Sequence, residues 1–127
     1  MGKPAAKQND QIIATDTHMV VVGSVATATP LPFTGIIDGA LSSDVMIMGA
    51  PAATVDSTAT NTPSHIPPGG SFQKPPSNKG KITMGSTTVF INGKQAARSG
   101  DMAETCNDPQ DLPVGQVVAV GTVMIGD

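Results

Sequence analysis

The chain has 127 residues, one domain in size, and ten acidic against seven basic residues leave it a net charge of −3. With no basic cluster and no Trp or Tyr, it lacks both the phosphate contacts and the stacking platforms that nucleic acid requires. Only three Phe are present, so the core is built thinly from Ala, Val, Ile and Met and needs a staple; the single Cys106 excludes an internal disulfide, which leaves a metal or a partner.

In chain order, the first segment is a glycine, Gly2, followed by Pro4-Ala5-Ala6-Lys7 and a turn at Asp10. Residues 11–14 and 19–22 are apolar runs of strand type, bounded by turn formers. A third run, residues 45–48, leads into Gly49-Ala50-Pro51-Ala52-Ala53 and Asp56. Residues 60–80 hold five Pro among Gly and Asn, and predict an extended surface loop. Residues 89–91 form the next strand, with Val89 and Ile91 on one face. Asn92-Gly93 follows, a two-residue hairpin signal because both residues tolerate positive φ. Gln95-Ala96-Ala97-Arg98 and Asp101 come next, then a shorter Pro-containing loop over residues 108–115 and a strand over 117–120. No stretch predicts a helix, and no apolar run approaches the ~20 residues that span a bilayer. The N-terminus lacks the apolar run of a signal peptide, so the expectation is a protein made and folded in the cytoplasm.

Three of these segments repeat one another. They start at Gly2, Gly49 and Gly93, 47 and 44 residues apart, and each carries Ala-Ala and then an Asp: Asp10, Asp56 or Asp101. The likeness extends upstream, where residues 43–49 align with 87–93, and residues 121–126 supply a last half-repeat. Each unit predicts a strand, a glycine turn, an Ala-Ala strand whose small side chains let backbones approach, and an Asp turn. High Pro and Gly content also suits a disordered chain, but the low net charge and patterned apolar runs favour a fold. The fold class is therefore all-β. Three stacked repeats are marginal unless they close on themselves.

Pro4-Ala5-Ala6-Lys7, and above all the run from Gly85 to Asp101 with Gln95-Ala96-Ala97-Arg98 inside it, resemble the proline-alanine-alanine-arginine motif of the PAAR-repeat proteins. The resemblance spans residues 2–126. It implies a single domain over residues 1–127, a short β-cone with pseudo-threefold repeats of short strands. Its broad base would cap a trimeric spike protein of the VgrG kind, in a type VI secretion system, a contractile phage tail or a related particle. The cone would sharpen the spike for envelope piercing, touching the target membrane only in passing. It would be a monomer by itself, assembled at the particle's tip and delivered with it, and the loop over residues 60–80 is a candidate dock for effector cargo.

The resemblance also implies one metal ion at the vertex, usually zinc with iron as second choice, held by His and Cys. This chain has two His and one Cys, one after each repeat: His18 lies eight residues past Asp10, His65 nine past Asp56 and Cys106 five past Asp101. Taken singly, such a His is ordinarily a satisfied polar group and such a Cys a small hydrophobe. One per repeat favours a shared site, and imidazole with thiolate suits zinc. Members of the family commonly supply three His and one Cys, so this chain is one His short. Asp108, Asp16 or water is left to complete the shell, or the fourth position stays empty.

An incomplete shell is also the mark of a catalytic zinc, so a metal-dependent hydrolase is the alternative to weigh. No His-Glu-x-x-His occurs, and Glu104 is the sole glutamate. Arg98 reads as a structural cation for carbonyls or Asp101. The expectation is a protein that is not an enzyme. A small zinc-binding β scaffold or adapter in some other assembly shares the same fold and differs only in partner.

Overall fold

The computed structural model describes residues 2–126. The first repeat contains β1 (Lys3–Pro4), β2 (Gln11–Val22) and β3 (Val25–Gly39). The second contains β4 (Met46–Ile47), β5 (Ala50–Pro51), β6 (Thr58–Asn61), β7 (Ser71–Phe72) and β8 (Lys79–Ile82). The third contains β9 (Phe90–Ile91), β10 (Lys94–Gln95), β11 (Met102–Thr105) and β12 (Leu112–Val118), and β13 (Met124–Ile125) pairs back onto β1. Among the described residues there is no helix, as expected.

Six strands close into a barrel. The arms β2–β3, β6–β8 and β11–β12 are antiparallel pairs, and β3–β6, β8–β11 and β12–β2 join one arm to the next. Closure removes the open edges that would otherwise invite association. It also supplies what three stacked repeats lack.

The three Ala-Ala segments form the floor. Ala6 N–H donates to Ala97 O, Ala97 N–H to Ala53 O and Ala53 N–H to Ala6 O, so the hydrogen bonds run in a ring. A second ring runs Gln8 to Pro51, Val55 to Gln95 and Ser99 to Pro4. Six alanines at the axis, Ala5, Ala6, Ala52, Ala53, Ala96 and Ala97, are all buried. Any larger side chain there would push the three backbones apart. Below them Ile47, Ile91 and Ile125 occupy matching places in a small core. Above them lies the main core, in which Ile37, Ile82 and Val117 are matched, as are Ile12, Ala59 and Ala103.

These rings fix the register of the repeats and correct one alignment. Asp10, Ser57 and Asp101 are the equivalent residues: each accepts, through its side chain, the backbone N–H three residues earlier, at Lys7, Thr54 and Arg98. Asp56 instead matches Asn9 and Gly100, with φ of 80°, 76° and 91°. It holds the left-handed turn position that Asn, Asp and Gly tolerate best.

Two hairpins have the predicted two-residue turn. Asn92-Gly93 has φ of 54° and 81°, and Met48-Gly49 adopts the same turn at 51° and 82°. The third pair, β1–β13, is built from segments near the two ends of the chain.

Opposite the floor the molecule tapers. The runs over residues 11–14 and 19–22 belong to one strand, β2, and its partner β3 carries no sequence signal of a strand because it contains Pro30, Pro32 and Gly35. Thr34, in step with both prolines, sends its N–H away from β2 to the Asn61 side chain. At Pro30 and Pro32 no strand lies on that side, since β6 pairs only from Gly35 onward, so the missing N–H costs no ladder bond. Past the barrel, β2 and β3 therefore continue as a two-stranded ribbon, with β7 added against Val20 and Val21. The predicted loops are partly strand: residues 60–80 include the ends of β6 and β8 as well as β7, and Leu112 opens β12. A broad threefold end and a narrow ribbon make the expected cone.

A candidate metal centre

The barrel narrows where three glycines face inward. Gly35, Gly80 and Gly115 stand two residues before the matched Ile37, Ile82 and Val117. A Cβ on Gly35 would lie 2.6 Å from the Phe33 ring, and one on Gly80 3.2 Å from it. Gly35 and Gly80 make room for that single aromatic to fill the barrel under the site, while a Cβ on Gly115 would meet Ala103 O, Ile12 and Thr105 at 3.1 Å.

Above Phe33, Asp16, His18, His65 and Cys106 converge, with one donor atom from each lying within 4.8 Å of every other. All four are buried. The three residues expected from the sequence meet here, and the fourth donor is Asp16. The signal for Asp16 was alternation: it stands two residues before His18 on β2, so both point to the same face. Asp108, the other candidate, sits outside the group, its Oδ1 3.5 Å from His18 Nδ1. Its Oδ2 accepts the Met19 N–H at 2.8 Å, which fastens its loop to β2.

Asparagines the sequence reading did not single out hold the other two donors. Asn61 Nδ2 donates to Asn78 Oδ1 at 3.1 Å, and that same oxygen accepts the His65 N–H at 2.9 Å. Beside Cys106, Asn107 Oδ1 accepts the Thr17 N–H at 2.7 Å and its Nδ2 donates to Thr105 O at 3.1 Å. Such side-chain-to-backbone bonds replace ladder contacts where the strands have ended. Phe72, edge-on to His18 with centroids 5.8 Å apart, covers the group from β7.

Within the group, Asp16 Oδ1 accepts the Thr105 hydroxyl. Asp16 Oδ2 is 2.7 Å from His65 Nε2 and 3.5 Å from Cys106 Sγ. Burial, reinforced by the negative charge of Asp16, pushes the Cys106 thiol up to about 11. His18 stands apart: neither ring nitrogen has a hydrogen-bond partner, although both are buried. An orphaned buried polar group costs about 1–3 kcal/mol. A cation shared with the other three donors would satisfy it.

The donor chemistry fits a divalent ion. Two imidazoles, a thiolate and a carboxylate suit zinc, and also ferrous iron. The two anionic donors would balance its charge, which a buried site needs. The free space reaching His18 and Cys106 is only about 80 Å³, against ~300–1,000 Å³ for a typical small-molecule pocket. Four protein donors, if all bound, would fill a tetrahedral shell, the pattern of structural zinc.

Fold and site together define a class: small all-β repeat proteins closed in a threefold ring and tied at the narrow end by a buried His, Cys and carboxylate cluster. The family model for the PAAR motif matches residues 23–104 and, in a second overlapping placement, residues 72–127; the chain belongs to that family. Overlapping placements are what an internally repeated chain produces. No curated protein matches the chain.

Proposed function

We propose that the chain is the metal-stapled tip of a trimeric spike in a contractile injection system, seated base-first, and that its role is mechanical rather than catalytic. The observation that carries this reading is the broad end. Met46, Phe90 and Met124 occupy the same position in the three strand pairs and are exposed to the same degree, 56%, 56% and 55%. They pair with Pro51, Gln95 and Pro4 respectively, while the next residue, Ile47, Ile91 or Ile125, turns into the core. Three equal apolar side chains about a pseudo-threefold axis match a partner with a true threefold axis, and a large exposed apolar set marks an interaction site.

At the other end, Asp16 and His18 from β2, His65 after β6 and Cys106 after β11 would hold zinc or iron. Bound there, the ion supplies a link between all three arms at one point, and the chain does the rest. The loops beside the ribbon, which join it by no continuous ladder, are pinned by side chains at the point that meets the load. The segment over residues 60–80 contributes His65 and Phe72 to this end, which commits much of it to the vertex before any cargo is considered.

The test is binding to a trimeric spike protein of the VgrG kind. Wild-type chain should co-elute as one copy per trimer, and a Met46→Ser, Phe90→Ser, Met124→Ser variant should keep its fold and lose at least tenfold in affinity. Undiminished binding by that variant would place the docking face elsewhere and favour an adapter role.

A further inference from the structure

The threefold ring repeats a cation as well as a backbone. Lys7 and Arg98 occupy the same position in the first and third repeats, each paired with the Asp three residues on, at 3.1 and 2.7 Å. Both reach the hairpins at the broad end. Lys7 Nζ donates to Val120 O at 2.6 Å, in the segment leading into β13, and Arg98 Nη1 donates to Gly126 O at 3.1 Å, just past β13. Each cation thus fills space between a floor strand and a hairpin.

In the second repeat the matching residue is Thr54, and its carboxylate partner is replaced by Ser57. Thr54 is too short to cross the gap. There the structure has an open cavity of about 310 Å³, lined by Ser42, Asp44, Thr54, Ile91, Asn92 and Lys94. Ser42 is the counterpart of Val120 and Asn92 the counterpart of Gly126, so the two positions that receive Lys7 and Arg98 are the ones that wall this cavity. The negative charge has moved from the floor to the rim: Asp44, whose counterparts are Thr88 and Thr122, is exposed and held by Asn92 Nδ2 at 2.9 Å. The one cation on the wall, Lys94, is drawn to Asp56 at 3.6 Å.

We propose that this cavity, at the edge of the threefold end, takes an arginine side chain supplied by the protein that seats there. It would complete in trans the set of three cations of which the chain supplies two. The source of that arginine rests on the spike-tip reading above. The cavity itself does not.

The experiment has two arms. In the first, N-acetylarginine amide is titrated into the isotope-labelled full chain. Shifts should concentrate at the amides of Ser42, Asp44, Thr54 and Asn92, weaken at least fivefold in Asp44→Asn, and vanish in Thr54→Arg with Ser57→Asp, which fills the cavity from within. Asp44 is exposed, so its variant remains informative if the filled one fails to fold. No shifts at these amides, or equal shifts in wild type and Asp44→Asn, would overturn the site. In the second arm, wild type, Asp44→Asn and the filled variant are compared for docking on the trimeric spike. At least a tenfold loss with either variant supports a partner's arginine. Docking undiminished in both overturns that assignment and leaves a site for small free guanidinium compounds. A wild-type chain that docks on no spike sinks the spike-tip reading and the donor with it, while the first arm still decides the cavity.

Discussion

Replacing His18 with leucine should change stability in opposite directions with and without metal. In the metal-free chain, both ring nitrogens of His18 are buried without a hydrogen-bond partner. Each such group costs about 1–3 kcal/mol, and a side chain of similar bulk against Phe72 and His65 gives back at most ~1.5 kcal/mol in misfit. The two nitrogens together cost about 2–6 kcal/mol, so after that misfit His18→Leu should be more stable than wild type in chelator by at least ~0.5 kcal/mol. With zinc present the sign reverses. Removing an outer-shell partner of a metal ligand costs up to ~100-fold in affinity. A lost donor costs at least that, or about 2.8 kcal/mol at 1.4 kcal/mol per tenfold, and this is lost from the folded state by linkage. Thermal unfolding with saturating zinc and with chelator measures both differences, at roughly 4 °C per kcal/mol for a domain of this size. If His18→Leu is more stable than wild type in both conditions, His18 binds no metal. If it is equally destabilised in both, the residue serves packing alone.

Other outcomes follow from the same geometry. Purified without a metal-binding tag, the chain should carry about one zinc or iron by elemental analysis and lose it in Cys106→Ser; a folded chain without metal would leave partner binding as the only staple. Raising pH through the alkaline range should weaken the metal-free chain, because the folded Cys106 thiol, shifted from 9.0 to about 11, binds its proton more tightly than the unfolded one. That contribution is intact below pH 9 and is lost as pH climbs through 11, on the order of 3 kcal/mol. Urea midpoints in chelator should show the loss, and Cys106→Ala should abolish the dependence. Gly35→Ala, whose Cβ would meet the Phe33 ring at 2.6 Å and Ala59 at 3.0 Å, should cost about 1–3 kcal/mol by overpacking. Gly49→Ala, which meets nothing within 4 Å, bears only the strain of its positive φ and should cost less; equal losses would refute the account of the glycine ring.

What could be read from the sequence was whatever a repeat or a local turn makes visible. The Ala-Ala segments, the Asn92-Gly93 turn and the once-per-repeat placement of His18, His65 and Cys106 depend on short stretches of chain; the first two stand in the structure, and the last three side chains converge there. Register did not show. Asp56 and Ser57 are neighbours, and only the ring of backbone bonds reveals that Ser57 does the work of Asp10 and Asp101. The choice between Asp16 and Asp108 depended on knowing that residues 11–22 form one strand, which its polar middle hid. Gly35, Gly80 and Gly115 are scattered in sequence and become a set only when three arms are superposed. The ribbon was obscured by Pro30 and Pro32, which are tolerated because a neighbouring strand is too short to need their N–H groups.

The two ends of the molecule are held by different means, and this decides how it should fail. At the floor, each repeat donates to the next in a closed cycle, Ala6 to Ala97 to Ala53 and back, so no repeat can leave without breaking bonds to both neighbours. The six alanines and three isoleucines there are indifferent to metal. At the vertex, the ribbon and the segments carrying His65 and Cys106 meet chiefly through single side chains: Asn61 and Asn78 on one side, Asn107 and Asp108 on the other. A metal bound there would join all three arms at one point, and without it their link at this end is Asp16, bonded to His65 and to Thr105. The vertex should therefore loosen first while the barrel floor stays closed, a sub-global opening rather than global unfolding. Amide exchange in chelator tests this directly: protection should fall at Met19, Val20 and His65 while Ala6, Ala53 and Ala97 keep theirs. Uniform loss of protection across both ends would mean that the metal holds up the whole fold.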